Sequence, residues 1–144
     1  MKFKSKGGFL IAKIHQLSGR IFAKILKEEG IELNPAQGRI MFVLWDQDNI
    51  SIQELATKTS LSKTTLTSML DRLEKMGYIQ RTPSQDDRRE ILIKLTAKDR
   101  SLQTKYQQVS EKMIELFYEG MSDEEIIIFE KTLSELYENL KKHE

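Results

Sequence analysis

A chain of 144 residues is long enough to bury one core, and a single domain is expected. Cysteine is absent, which excludes disulfides, thiolate nucleophiles, thiol-based peroxide sensing and thiolate zinc sites, and fits a cytoplasmic location. The formal net charge of +1 is unevenly spread: residues 1–57 carry 8 basic and 6 acidic side chains, 58–100 carry 10 and 6, and 101–144 carry 5 and 10, so the middle can face a polyanion while the acidic end is placed elsewhere.

No run of about 18 apolar residues is present, so no membrane span is expected. The basic start MKFKSKGGFLIAKIH has its apolar run broken by Lys13 and His15 and lacks a small-residue cleavage signal, which argues against a secretory peptide. Leu10, Ile14, Leu17 and Ile21 recur at four, three and four, one face of a helix from Phe9 to about Leu26 that ends at Gly30. Asn34 followed by Pro35 reads as an N-cap with proline in the first turn, opening a helix over 35–46 that buries Ile40, Val43 and Leu44. After a turn at 46–49, Ser51 caps the short helix SIQELAT, with Glu54 placed as in a capping box. A tight bend at 59–61 leads to Ser62 and SKTTLTSMLDRLEKM, a helix with Leu66, Met69, Leu70 and Leu73 as its buried stripe and Gly77 as its stop.

The period then changes from 3.6 to 2. Residues 78–81 read as a short strand, 82–89 as a turn-rich tip, and Ile91, Ile93 and Leu95 alternate with Leu92 and Lys94 on the return strand. Such a two-stranded ribbon is marginal alone and must lean on the preceding helices. From about Ala97 the chain is helical again, with Leu102, Tyr106, Val109, Met113 and Leu116 on one face. A last helix follows, capped by Ser122 with Glu125 at its third position, and carries Ile126, Phe129, Leu133, Leu136 and Leu140. This seam-like spacing invites a partner helix; packing inside one chain is the alternative.

Catalytic chemistry finds little support. The two histidines, His15 and His143, have no companion at metal-ligand spacing. There is no Gly-rich phosphate loop, nucleophile elbow or HExxH, and the adjacent carboxylates of DDRRE diverge on a hairpin instead of facing across a cleft. No enzyme activity and no metal or required cofactor is therefore expected.

Binding chemistry is easier to build. With its leucine stripe buried, the helix opening at Ser62 leaves Lys63, Thr64, Thr67, Ser68, Asp71 and Arg72 on or near the opposite face. A helix of this width fits the major groove of double-stranded DNA, where hydroxyls meet base edges or phosphates and Lys63 can reach guanine or the backbone. An ordinary solvated helix face is the competing account. The preceding short helix and tight turn, SIQELATKTSLS, complete a helix-turn-helix and favour DNA. The ribbon tip would then extend along the duplex, where Arg88 and Arg89 suit phosphates or the floor of a narrow minor groove. Asp87 is expected to hold one of these arginines through a charge-assisted bond. Which arginine enters the groove is open, as is a self-neutralised solvated tip.

At these residues the chain resembles the MarR family of winged helix-turn-helix transcription regulators. The resemblance rests on ISIQELATKTSLSKTTLTSMLDRLEKMGYIQRTPSQDDRREILIKLT, residues 50–96. Asp71, Arg72, Leu73, Glu74, Lys75 and Gly77 close the recognition helix, Arg81 follows on the strand, and Asp87, Arg88, Arg89, Leu95 and Thr96 form the wing. It implies a mainly α fold with a small β-wing, a winged helix-turn-helix core at 33–98, and flanking dimerisation helices at 8–30 and 99–141 within one chain of 1–144. It further implies a homodimer on a pseudo-palindromic operator, often a repressor released by a small organic effector. By the resemblance Ser62, Lys63, Thr64, Thr67 and Ser68 face the groove, Arg72 contacts the backbone or supports the wing, and Arg81, Arg88 and Arg89 join the DNA-binding set. Two positions depart from the family pattern: Ser68 is often a long polar residue in relatives, and Asp99 in LTAKD replaces a glycine. An effector pocket is expected where the first helix meets the second and the start of the long helix after the wing, with His15, Arg39, Met41, Phe42 and Trp45 nearby; for His15 a partly buried imidazole bonded to a neighbour is the alternative, and for Phe42 and Trp45 core filling. A helical module for a protein partner, with DNA irrelevant, is the competing function.

Overall fold

The structure is a computed structural model that describes residues 4–98 and 101–144; Asp99, singled out above, lies outside the described residues. Two compact units divide after Ser110. In the first, helix α1 (Gly7–Glu28) precedes α2 (Pro35–Asp46), a two-residue strand β1 (Ile50–Ser51), α3 (Ile52–Thr59), α4 (Lys63–Lys75) and strands β2 (Ile79–Pro83) and β3 (Ile91–Leu95). Helix α5 (Ser101–Phe117) runs through the division, and α6 (Asp123–Lys141) belongs to the second unit.

Helix starts follow their caps. The Asn34 side chain accepts from Gln37 N–H at 2.8 Å while Gln37 accepts from Asn34 N–H at 2.9 Å, a reciprocal box that the sequence signalled only through Asn-Pro. Ser51 accepts from Glu54 N–H, but the return bond of a box is not formed; Ser122 and Glu125 form both. At the end of α4, Tyr78 N–H reaches Leu73 O and Gly77 N–H reaches Glu74 O, each at 3.0 Å. That geometry needs Gly77 at φ 86°, a conformation that costs any residue with a Cβ.

The core of the first unit is built from Leu26, Ile40, Leu44, Leu55, Leu66, Leu70, Leu73, Ile79 and Ile93, all fully buried. Each such side chain contributes roughly 1.5–3 kcal/mol by leaving water. Val43, expected in this core, is half-buried, and Met41 and Gly38 are buried in α2 instead. The ribbon is also not two-stranded. β1 adds to it antiparallel, giving the order β1-β3-β2 with Ile50 opposite Ile93 and Arg81 opposite Ile93 on the other side. The third strand, immediately before α3, anchors the ribbon to the helix-turn-helix through backbone bonds, so apolar contact alone does not have to hold it.

Candidate nucleic-acid interface

Helix α4 is set by its buried stripe. With Leu66, Leu70 and Leu73 inward, residues 64, 68, 71 and 75 fall on the far face, because each residue turns the helix by about 100°. Not every hydroxyl there is free. Ser62 is the N-cap: its Oγ accepts from Thr65 N–H at 3.2 Å and donates to Thr65 Oγ1 at 2.9 Å, which takes its proton and one lone pair. Thr67 donates to Lys63 O at 2.9 Å, leaving an acceptor and a methyl. Lys63, Thr64, Ser68 and Arg72 make no side-chain hydrogen bond or ion pair among the described residues.

The wing tip is more ordered than its charge suggests. Ser84, buried in contrast to its neighbours, accepts from Asp86 N–H and Asp87 N–H through Oγ at 3.2 and 3.4 Å. Its own N–H donates to Glu90 O at 2.8 Å, and Glu90 N–H to Asp87 O at 3.0 Å. Asp87 Oδ1 accepts Arg89 N–H at 3.0 Å and lies 3.7 Å from Arg89 Nε. Arg89 nevertheless remains 96% exposed, while Arg88 has no ion pair or side-chain hydrogen bond among the described residues. Ser84 went unnoticed in the sequence, although a serine two and three residues ahead of backbone N–H groups in a turn is a known local acceptor.

At the wing base, Arg81 Nη2 sits 2.7 Å from Asp71 Oδ1 and 2.8 Å from Glu74 Oε1, and Arg81 N–H donates to Glu74 Oε2 at 3.2 Å. The side-chain and backbone bonds of Arg81 hold Glu74 below the usual carboxylate range, and the same carboxylates raise the guanidinium. The sequence assigned Arg81 to DNA; the fold gives it two carboxylate partners. Asp48 Oδ1 accepts Leu95 N–H at 2.8 Å, Thr96 Oγ1 donates to Gly77 O at 2.6 Å, and Lys98 bonds Met76 O with its ammonium 4.7 Å from the Tyr78 ring.

Behind the wing lies a cavity of about 500 Å³ whose lining includes Met41, Trp45, Asp48, Tyr78, Leu102 and Gln103. Of the residues expected around an effector, Met41 and Trp45 line it. His15, Arg39 and Phe42 do not: His15 is exposed on α1, Phe42 is 60% exposed, and Arg39 donates to Thr59 O at 3.3 Å. The reason is helical phase. Met41 and Trp45, four apart, share a face of α2, whereas Phe42 lies about 100° and Arg39 about 160° round from Met41.

The profile of the MarR family matches residues 33–91, from the capping loop of α2 to the start of β3. A curated relative, the uncharacterized HTH-type transcriptional regulator YsmB of Bacillus subtilis (strain 168), is 32% identical over 130 residues, covering 85% of this chain and 88% of YsmB. The chain belongs to the MarR family. Another relative, the HTH-type transcriptional repressor YetL of the same organism, is 31% identical over 113 residues, or 77% of this chain and 68% of YetL. The regulator TtmR of Methylorubrum extorquens (strain PA1) is 34% identical over 87 residues, and the match spans 44% of its length. Among solved structures, a mutant of MarR from E. coli complexed with operator DNA superposes with a TM-score of 0.80 at 25% identity, covering 90% of this chain and 91% of that one. As a MarR-family member the chain is a DNA-binding transcription regulator, not an enzyme. Its mainly helical fold with a small β-wing is that of the family. Among the described residues no three His, Asp or Glu side chains are grouped to hold a metal, and no helix is long and apolar enough to cross a membrane.

Proposed function

We propose that this MarR-family chain is a homodimeric repressor that binds a pseudo-palindromic operator and leaves it when a small organic effector enters the cavity beside Trp45. The observation that carries the reading is the succession, in residues 62–89, of a helix face with free Lys63, Thr64 and Ser68 and a wing tip with two exposed arginines. The helix enters the major groove, with Thr67 offering its methyl to thymine and Arg72 reaching the backbone. Arg89, pre-ordered by Asp87, enters the minor groove, and the unpartnered Arg88 meets phosphate. Repression is supported by the likeness to YetL, a repressor, and operator binding by the likeness to the E. coli MarR complex. In this reading residues 33–98 bind DNA, residues 8–30 and 99–141 pair the two copies, and the protein acts in the cytoplasm.

The effector reading rests on the cavity. It is lined by an indole, a phenol and aliphatic carbons together with Asp48, Thr96, Lys98 and Gln103, a wall of mixed polar and apolar surface that suits a small aromatic molecule carrying polar substituents. It adjoins α2, the wing base and the start of α5, so an occupant would bias how the wing is held.

Selection of bound duplexes from a random pool by the purified protein tests the whole. One motif with two-fold symmetry, half-sites about one helical turn apart, is the expected result. A pool that shows no salt-sensitive enrichment would sink the reading. With that motif in hand, Arg88→Ala removes one phosphate contact from each copy, so it should cut affinity at least about tenfold and reduce the slope of log affinity against log salt by about two. An unchanged slope removes Arg88 from the phosphate contacts.

A further inference from the structure

We propose that Arg81 acts on DNA at one remove: it is a positioning residue that locks the wing base to the recognition helix and covers two carboxylates there, and it does not itself touch DNA. This rests on the DNA-binding reading above and changes only the part Arg81 plays in it.

The starting point is a misplaced charge. Asp71 lies seven residues after Thr64 on α4, within about 20° of it around the helix axis, so it stands in line with the groove-facing hydroxyls. Its side chain is 51% exposed. Phosphates and the guanine O6/N7 edge would both repel a bare carboxylate at that place. Glu74, one turn on, adds a second. Among the described residues the only ion pairs of these two carboxylates are with Arg81, through the same nitrogen, Nη2, at 2.7 and 2.8 Å. The trio carries one net negative charge instead of two, and neighbouring Arg72 and Lys75 can then dominate the end of the helix.

The second half of the role is mechanical. Arg81 pairs with Ile93 in the β2–β3 ladder, and Ile93 is fully buried, so the strand position of Arg81 is fixed by the core. Glu74 grips it twice, by the guanidinium and by the backbone N–H. Strand β2 ends at Pro83 and the tip begins at Ser84, three residues beyond Arg81, roughly 10 Å at the rise of an extended strand. A tilt at the base of about 10° therefore moves the tip by roughly 2 Å, enough to break a hydrogen bond there. A guanidinium engaged by two carboxylates is both screened from phosphate and needed where it is.

The test uses the full-length protein and the duplex motif selected by the wild type; a wild type that selects no duplex is a failure of the DNA reading and is seen before any variant is made. Arg81→Ala should bind that duplex roughly tenfold more weakly with its salt slope unchanged, because no phosphate contact is lost. Adding Asp71→Asn and Glu74→Gln to Arg81→Ala should recover at least about threefold, since the uncovered charges are gone. A slope reduced by about two, one for each copy, or a triple variant as weak as Arg81→Ala, overturns the proposal in favour of direct contact. Should Arg81→Ala fail to fold, judged by circular dichroism, Asp71→Asn with Glu74→Gln in the presence of Arg81 carries the test. It should tighten binding to unrelated duplex while the ratio of specific to unrelated affinity falls severalfold; an unchanged ratio overturns the locking role.

Discussion

Tyr106 is buried on α5 with Phe22 at 5.7 Å and Trp45 at 5.4 Å between ring centroids. Burial pushes its phenol up to about 12 from 10.0, with the Ser110 hydroxyl and the Arg39 charge working against that rise. The folded state therefore favours the neutral phenol. Its contribution is complete below pH 10, where the unfolded chain also keeps the proton, and is lost as the pH rises from 10 toward 12. Urea unfolding at pH 8 and pH 11.5 should show a loss in the wild type that Tyr106→Phe largely lacks; equal losses would place the alkaline sensitivity elsewhere. Single residues were also where the sequence was hardest to read. A serine before a helix can cap it or reach a base, and only the fold shows that Ser62 caps α4 through its bonds to Thr65. An arginine after a D-R-L-E run reads as a DNA contact until the chain closes and brings Asp71 and Glu74 to it.

At the scale of elements, α2 and α5 meet where a glycine makes room. A Cβ on Gly38 would lie 2.5 Å from Tyr106 Cε2 and from its hydroxyl oxygen. The ring is the end of a side chain, but its aromatic neighbours leave it nowhere to go. Gly38→Ala gains about 1 kcal/mol of helix propensity and meets an overpacking cost of about 1–3 kcal/mol, so a net destabilisation is expected in thermal melting. A stabilised variant would mean that Tyr106 can swing aside. Most elements were legible because their signals are local: Asn34-Pro35, Ser51, Ser62, Gly77 and Ser122 all sit at the ends the sequence set for them. β1 was missed since Ile50–Ser51 is too short for any alternation, and its pairing with Leu92 and Ile93 joins residues some forty apart. The pocket was half legible for a related reason: Met41 and Trp45 reveal a shared face by spacing, but not which side of α2 would be left open.

At the scale of the molecule, apolar surface remains uncovered. Leu10, Ile14, Leu17 and Ile21 on α1 are each 37% exposed or more, and α6 fully buries none of its residues in the single chain, leaving Ile127, Ile128, Leu136, Tyr137 and Leu140 exposed. Amphipathic helices of this length draw most of their stability from packing. In the proposed homodimer the partner copy supplies that packing. Sedimentation at micromolar concentration should give about twice 16.8 kDa, and Ile14→Glu with Leu17→Glu should lower the mass toward the monomer and weaken operator binding with it. A monomeric wild type with ordered terminal helices would refute the dimer.

Trp45 is the sole tryptophan of the chain, and it borders the cavity while lying against Tyr106. Its emission is thus an intrinsic optical probe of one place, free of background from any second indole. A molecule that fills the cavity should quench or shift that emission in a saturable way, and Trp45→Phe should abolish the signal. Candidate effectors can be ranked by such titration before a single promoter is known.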